Sequence, residues 1–140
     1  MKQAIYMLIV AASALLAGEA AFGYGATYKT VYGALATMAL MIAGTFFWLY
    51  QKRATPLALG MAFSWAGCAG VLAWFWIYRS LERPPMMQDN SFLFVLLSLY
   101  FVGATLHFVT IQRTLGWHGK AFLLPVIGSF VVALTVNLIF

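Results

Sequence analysis

Along the 140 residues, apolar side chains continue for about twenty positions at a time and give way only where charged residues, prolines or glycines cluster. Five such runs are readable, at about 4–22, 31–50, 57–78, 91–111 and 121–140. A helix needs about 20 apolar residues to cross the hydrocarbon of a bilayer, and each run is about that long. Helices are also the spanning form that satisfies its own backbone hydrogen bonds without water. The connections read "GYGATYKT", "QKRATP", "RSLERPPMMQDN" and "QRTLGWHGK". Their shortness forces consecutive helices antiparallel. The pattern therefore predicts an all-α integral membrane protein, a single transmembrane domain over 1–140 built as a compact antiparallel bundle of about five helices.

Composition supports this class. The chain is 64% hydrophobic and 8% charged, against roughly half apolar and a quarter charged in soluble domains. Once the spans are placed, no sequence is left for a separate soluble catalytic domain. The net charge of +5 comes from eight basic residues scattered singly or in pairs at the edges of the apolar runs. Nucleic-acid recognition clusters Lys and Arg on one face; this dispersal instead orients helices in a membrane. With the N-terminus inside, Lys2, Lys52, Arg53, Arg113 and Lys120 are cytoplasmic, and Lys29, Arg79 and Arg83 lie outside. The expected location is the inner membrane, multi-pass, with the lipid bilayer as first partner and no nucleic acid. The opening "MKQAIYMLIVAASALLAGEA" also has the outline of a signal peptide, with Glu19 spoiling the cleavage pattern. Its removal would leave four spans in the same orientation.

Small residues recur at intervals of four: Ser13, Ala17 and Ala21 in the first run, and Gly60 with Ser64 and Ala62 with Ala66 and Gly70 in the third. Such ridges let helices approach where lipid supplies no hydrophobic drive, which predicts a tight bundle and self-association or other membrane subunits as partners. Aromatics in "FFWLYQKR" and "AWFWIYRS" form interfacial belts. Trp65 lies deeper, near Cys68 on a helical face, as core packing or a ligand platform. Cys68 is the single cysteine, so neither an intramolecular disulfide nor a cysteine-rich metal site is expected.

Candidate chemistry rests on Glu19, His107 and Asn137, because a polar group inside hydrocarbon must face a partner, a cavity or water. At 1.5 Å rise per residue, Glu19 lies about 22 Å along the first span, His107 about 24 Å along the fourth and Asn137 about 24 Å along the fifth. The first and fourth spans run oppositely, so Glu19 and His107 belong to opposite faces. Asn137 matches Glu19 in depth. Lost hydration penalises a charged carboxyl, and a protonated acid there can hydrogen-bond Asn137 or a tyrosine, with Tyr24, Tyr28 and Lys29 within reach in sequence. His107 could ligate haem only with a second axial side chain, and His118 is the remaining histidine. No nucleophile–base set, phosphate loop or zinc spacing is legible, so neither enzyme activity, metal nor cofactor is expected.

At Glu19 and "TPLALGMAFSWAGCAG" the chain resembles the small multidrug-resistance and related drug/metabolite transporters. The resemblance covers about a third of the chain. It implies that Glu19 is a proton- and substrate-coupling acid, and that Trp65, Gly67 and Gly70 flank the substrate. The chain departs from that pattern in the late position of Glu19, in lacking a lysine after it within the helix, and in its fifth run. The functional expectation from the residues is a non-catalytic accessory or packing subunit of a membrane complex or homo-oligomer. The alternative is a small proton-coupled transporter or channel for cations or amphiphiles, using Glu19.

Overall fold

A computed structural model of the chain describes residues 2–116, 119–120 and 123–139. Four α-helices and one 3₁₀ turn follow in order: α1 Lys2–Arg53, α2 Pro56–Ser80, the turn Pro85–Met87, α3 Phe92–Thr114 and α4 Leu123–Ile139. Among the described residues the secondary structure is helical throughout. Three segments are long and apolar enough to cross a membrane, and α4 is a shorter apolar helix.

The first helix replaces the two expected ones. Its 52 residues are interrupted only at Gly23, with φ 78° and ψ 160°, a backbone state that glycine reaches without a Cβ clash. That one residue folds α1 into two limbs, 2–22 and 24–53, set so sharply that a Cβ on Gly18 would lie 3.6 Å from the Thr27 side chain. The stretch "GYGATYKT", expected as a loop, is helical on both sides of Gly23. Its tyrosines explain why. Tyr24, Tyr28 and Tyr32 are spaced four apart, and consecutive rings meet at 5.9 and 4.0 Å, contacts that only a helix aligns.

The α1–α2 connection follows from local sequence. Proline favours an extended residue before it and a helix start after it. Accordingly Thr55 is extended and Pro56 opens α2, while Ala54 turns through φ 48°.

Packing runs chiefly from α1 to α2 and from α2 to α3, with α4 touching α3 lightly. The Phe101 and Phe130 rings meet edge-on at 5.7 Å across that last contact, and Gln112 Nε2 donates to the Gly119 carbonyl at 2.8 Å. The expected compact bundle is thus concentrated in three helical lengths: the second limb of α1, α2 and α3. Among the described residues every buried apolar side chain is an alanine: Ala36, Ala39, Ala43, Ala58, Ala62 and Ala69. The small-residue stripe beginning at Gly33 in α1 is a further packing face. Gly60, Ser64 and Gly70 of the third run do pack, against α3. Ser13, Ala17 and Ala21 do not; all three are exposed.

The α2–α3 seam is the tightest. A Cβ on Gly67 would stand 2.6 Å from Tyr100 Cα, and one on Gly103 would stand 2.7 Å from Ser64 Cα. Both obstacles are backbone, which cannot swing aside. Gly60 faces Leu106 and Gly70 faces Leu96, so the partners run in opposite sequence order and the helices are antiparallel.

Gly103→Ala should therefore lower stability by about 1–3 kcal/mol through overpacking. Gly128→Ala, with open space around it, should be neutral or stabilise by up to about 1 kcal/mol through helix propensity. Unfolding midpoints in mild detergent check this, and equal midpoints for the two variants would refute the close approach.

Candidate functional site

Glu19, the acid of the first limb, faces the second limb across the bend at Gly23. A cleft of about 180 Å³ opens there, with Leu15, Leu16 and Glu19 on one wall and Tyr24, Tyr28 and Tyr32 on the other. The four-residue spacing that stacks the tyrosines also presents all three rings to the same side. From the C-terminal turn of α2, Arg79 reaches the same rings. Its guanidinium carbon lies 4.5 Å from the Tyr28 ring centroid and 6.0 Å from that of Tyr24, within cation–π range. Glu19 and Arg79 border the same tyrosines without forming an ion pair among the described residues. Next to Arg79, Tyr78 accepts a 3.2 Å hydrogen bond from Gln88 Nε2, which ties the 81–91 connection to this end of α2.

Thr27 sits in the angle of the bend, and its hydroxyl is enclosed without a partner. Other helical threonines donate to the carbonyl four residues back, as Thr30 does to Ala26 and Thr37 to Gly33. For Thr27 that carbonyl belongs to Gly23, whose ψ of 160° takes it out of the helical ladder.

His107 lies at the other end of α2. Its ring fits where Gly60 leaves room, with Cδ2 3.6 Å from the position of a Cβ there, and its Nδ1 is 3.4 Å from Ser64 Oγ. Its Nε2 is enclosed with no partner among the described residues. Measured along α2, the Ser64 level and Arg79 are about 22 Å apart, so the Glu19 cleft and His107 are separate places.

The other sequence candidates stand apart from both. Asn137 is exposed near the end of α4 and makes no hydrogen bond to Glu19. Tyr24 and Tyr28, the other neighbours expected for the acid, line the cleft with it. Trp65 is half-buried in the middle of α2 and does not line the Glu19 cleft. His118 lies outside the described residues, as do the first two positions of the fifth run, Ala121 and Phe122, and its last, Phe140. No group of three or more metal-binding side chains occurs among the described residues.

Two participants were missed by sequence reasoning. Arg79 was assigned only to topology, since nothing in a linear sequence says that it reaches residues some fifty positions earlier. Tyr32 was the third member of a four-residue period that was visible in the sequence.

Compared with protein-family models, with curated proteins and with solved structures, the chain finds no match.

Proposed function

We propose that the chain is a small multi-pass protein of the inner membrane that serves as a structural subunit, joining other membrane helices rather than performing chemistry. Five segments cross the bilayer in this reading: the limbs 2–22 and 24–53 of α1, then α2, α3 and α4. A core of alanine and glycine with large apolar side chains outside supports the membrane setting. Six buried alanines supply about 5 kcal/mol of hydrophobic free energy at 0.8 kcal/mol per methyl-sized group. That does not offset an exterior of Leu, Ile, Phe, Met and Trp facing water.

The observation that carries the subunit reading is the first limb. It has no buried residue, hangs from a one-residue bend, and holds Ser13, Ala17 and Ala21 exposed on its surface. Ridges of this kind seat a second helix at close range. In mild detergent the particle should exceed one 15.4 kDa chain, as a homo-oligomer or with a co-purifying protein. Ala17→Leu should shift it toward the single chain. A strictly monomeric, partnerless wild-type particle defeats the proposal.

The basic residues support a cytoplasmic N-terminus, five against three. The ends of α2 give the test. In a Cys68→Ser background, Met86→Cys should react with an impermeant thiol reagent added to intact cells, and Ala54→Cys should not. The opposite labelling would invert the topology.

A second reading is favoured by the position of Glu19 in a cleft beside three tyrosine rings. There it exchanges a proton for a small cation or amphiphile, in a transporter or channel. In proteoliposomes, wild-type protein should then carry a proton flux that Glu19→Gln abolishes while leaving assembly intact. No flux from the wild type across a series of candidate cations would return Glu19 to a structural role.

A further inference from the structure

We propose that Glu19, the tyrosine ladder and Arg79 together hold the headgroup of a zwitterionic phospholipid bearing a primary ammonium, a phosphatidylethanolamine. The inference rests on the membrane reading above and is independent of transport.

Three observations converge on this ligand. The first is charge. A carboxylate and a guanidinium border the same pair of rings, Tyr24 and Tyr28, yet do not pair with each other among the described residues. Arg79 does not line the cleft but reaches the rings that form its wall, so a ligand that engages both groups carries a cation and an anion. An ethanolamine phosphate does so across two carbons.

The second is geometry at Arg79. Its guanidinium lies over the Tyr28 ring. No hydrogen bond engages its N–H groups among the described residues, and such groups match phosphate oxygens. The Tyr24 ring, which lines the cleft with Glu19 and is tilted against Tyr28 rather than stacked on it, can attract an ammonium. Glu19 supplies acceptors for the ammonium N–H groups that a quaternary choline lacks.

The third is depth. The vertex at Gly23 is at the membrane surface in this topology, with Glu19 and Tyr24 near it. Leu15, Leu16, Val31 and Tyr32 line the same cleft further from the vertex, toward the hydrocarbon. Polar groups at headgroup level above an apolar trough are the arrangement an acyl chain with its headgroup requires. The cleft volume of about 180 Å³ is below the 300–1,000 Å³ of drug-sized pockets, but it exceeds the roughly 150 Å³ that takes up a benzene-sized molecule. It suits a headgroup and the first part of a chain, and it is open at the side to lipid.

The experiment is lipid retention by the full chain. Detergent-solubilised protein is equilibrated with an equimolar mixture of phosphatidylethanolamine, phosphatidylcholine and phosphatidylglycerol of matched acyl chains, and bound lipids are counted by native mass spectrometry. Phosphatidylethanolamine should be enriched about three- to tenfold over the other two, the scale of one or two partly exposed charge-assisted hydrogen bonds. Glu19→Gln should erase its advantage over phosphatidylcholine. With a neutral diacylglycerol added to the mixture as reference, Arg79→Gln should lower retention of all three phospholipids relative to it. Tyr24→Leu should weaken both nitrogen-containing lipids. Lys29→Gln, a nearby charge outside the cleft, should leave the preference unchanged, and helicity by circular dichroism verifies the fold of each variant.

Equal retention of the three lipids, a preference for phosphatidylglycerol, or an ethanolamine preference that survives Glu19→Gln would each overturn the proposal. Failure of the membrane reading is distinguishable. A chain released from membranes by alkaline carbonate would overturn both, whereas a carbonate-resistant chain that retains the three lipids alike would overturn this inference alone.

Discussion

The close approach of α2 and α3 is the constraint on which the arrangement depends. At Gly67 and Gly103 the neighbouring helix brings its own backbone to where a Cβ would stand, so the separation of the two axes is set by main chain rather than by side-chain bulk. Dispersion falls away steeply with even small gaps, so contacts of this kind carry a seam that has no large side chains to bury. The α1–α2 seam uses the same material, with Ala36, Ala39 and Ala43 buried on one side and alanines of α2 on the other. These two seams set the positions of Arg79 and His107, whereas the bend at Gly23 sets that of Glu19.

Because the packed unit consists of only three helical lengths, both ends of the chain are free to do something else. At the N-terminal end, Gly23 redirects the first limb by one residue's dihedral angles, and the limb is held by the shallow contact at Gly18 and Thr27. The bend leaves clefts beside it instead of a filled seam, and it leaves the Thr27 hydroxyl unpaired. At the C-terminal end, α4 rests on α3 through few contacts. The proposed subunit role and the proposed lipid site both draw on this looseness.

Polar groups divide between the two ends of α2. Near its start, His107 and Ser64 form a small interhelical pair in space created by glycine, an arrangement that fixes how α3 turns its face to α2. Near its end, Arg79 and Glu19 meet a common aromatic surface without neutralising one another. The second place sets a carboxylate in the cleft and a guanidinium against the tyrosine rings that wall it.

The sequence by itself determined the helical class, the approximate limits of the apolar runs and the value of small residues in the third of them. These are properties of nearest neighbours and of helical period: a run of about twenty apolar residues, a proline that starts a helix, a glycine that replaces a side chain. It also singled out Glu19, because a carboxylate among hydrocarbon neighbours is conspicuous in any register. Only the tertiary structure decided that "GYGATYKT" is helical around one bent residue, since a lone glycine and a glycine-rich loop look alike until the dihedral is known. The surroundings of Glu19 were legible in part, since Tyr24 and Tyr28 lie within its reach in sequence. Depth along the helices matched it to Asn137, but depth has no lateral component. The sharp bend at Gly23 turned the acid toward Tyr24, Tyr28 and Tyr32, and the α1–α2 seam brought Arg79 to the same rings. The reach of Arg79 to those rings arises from how whole helices pack, and no local pattern in the chain encodes it.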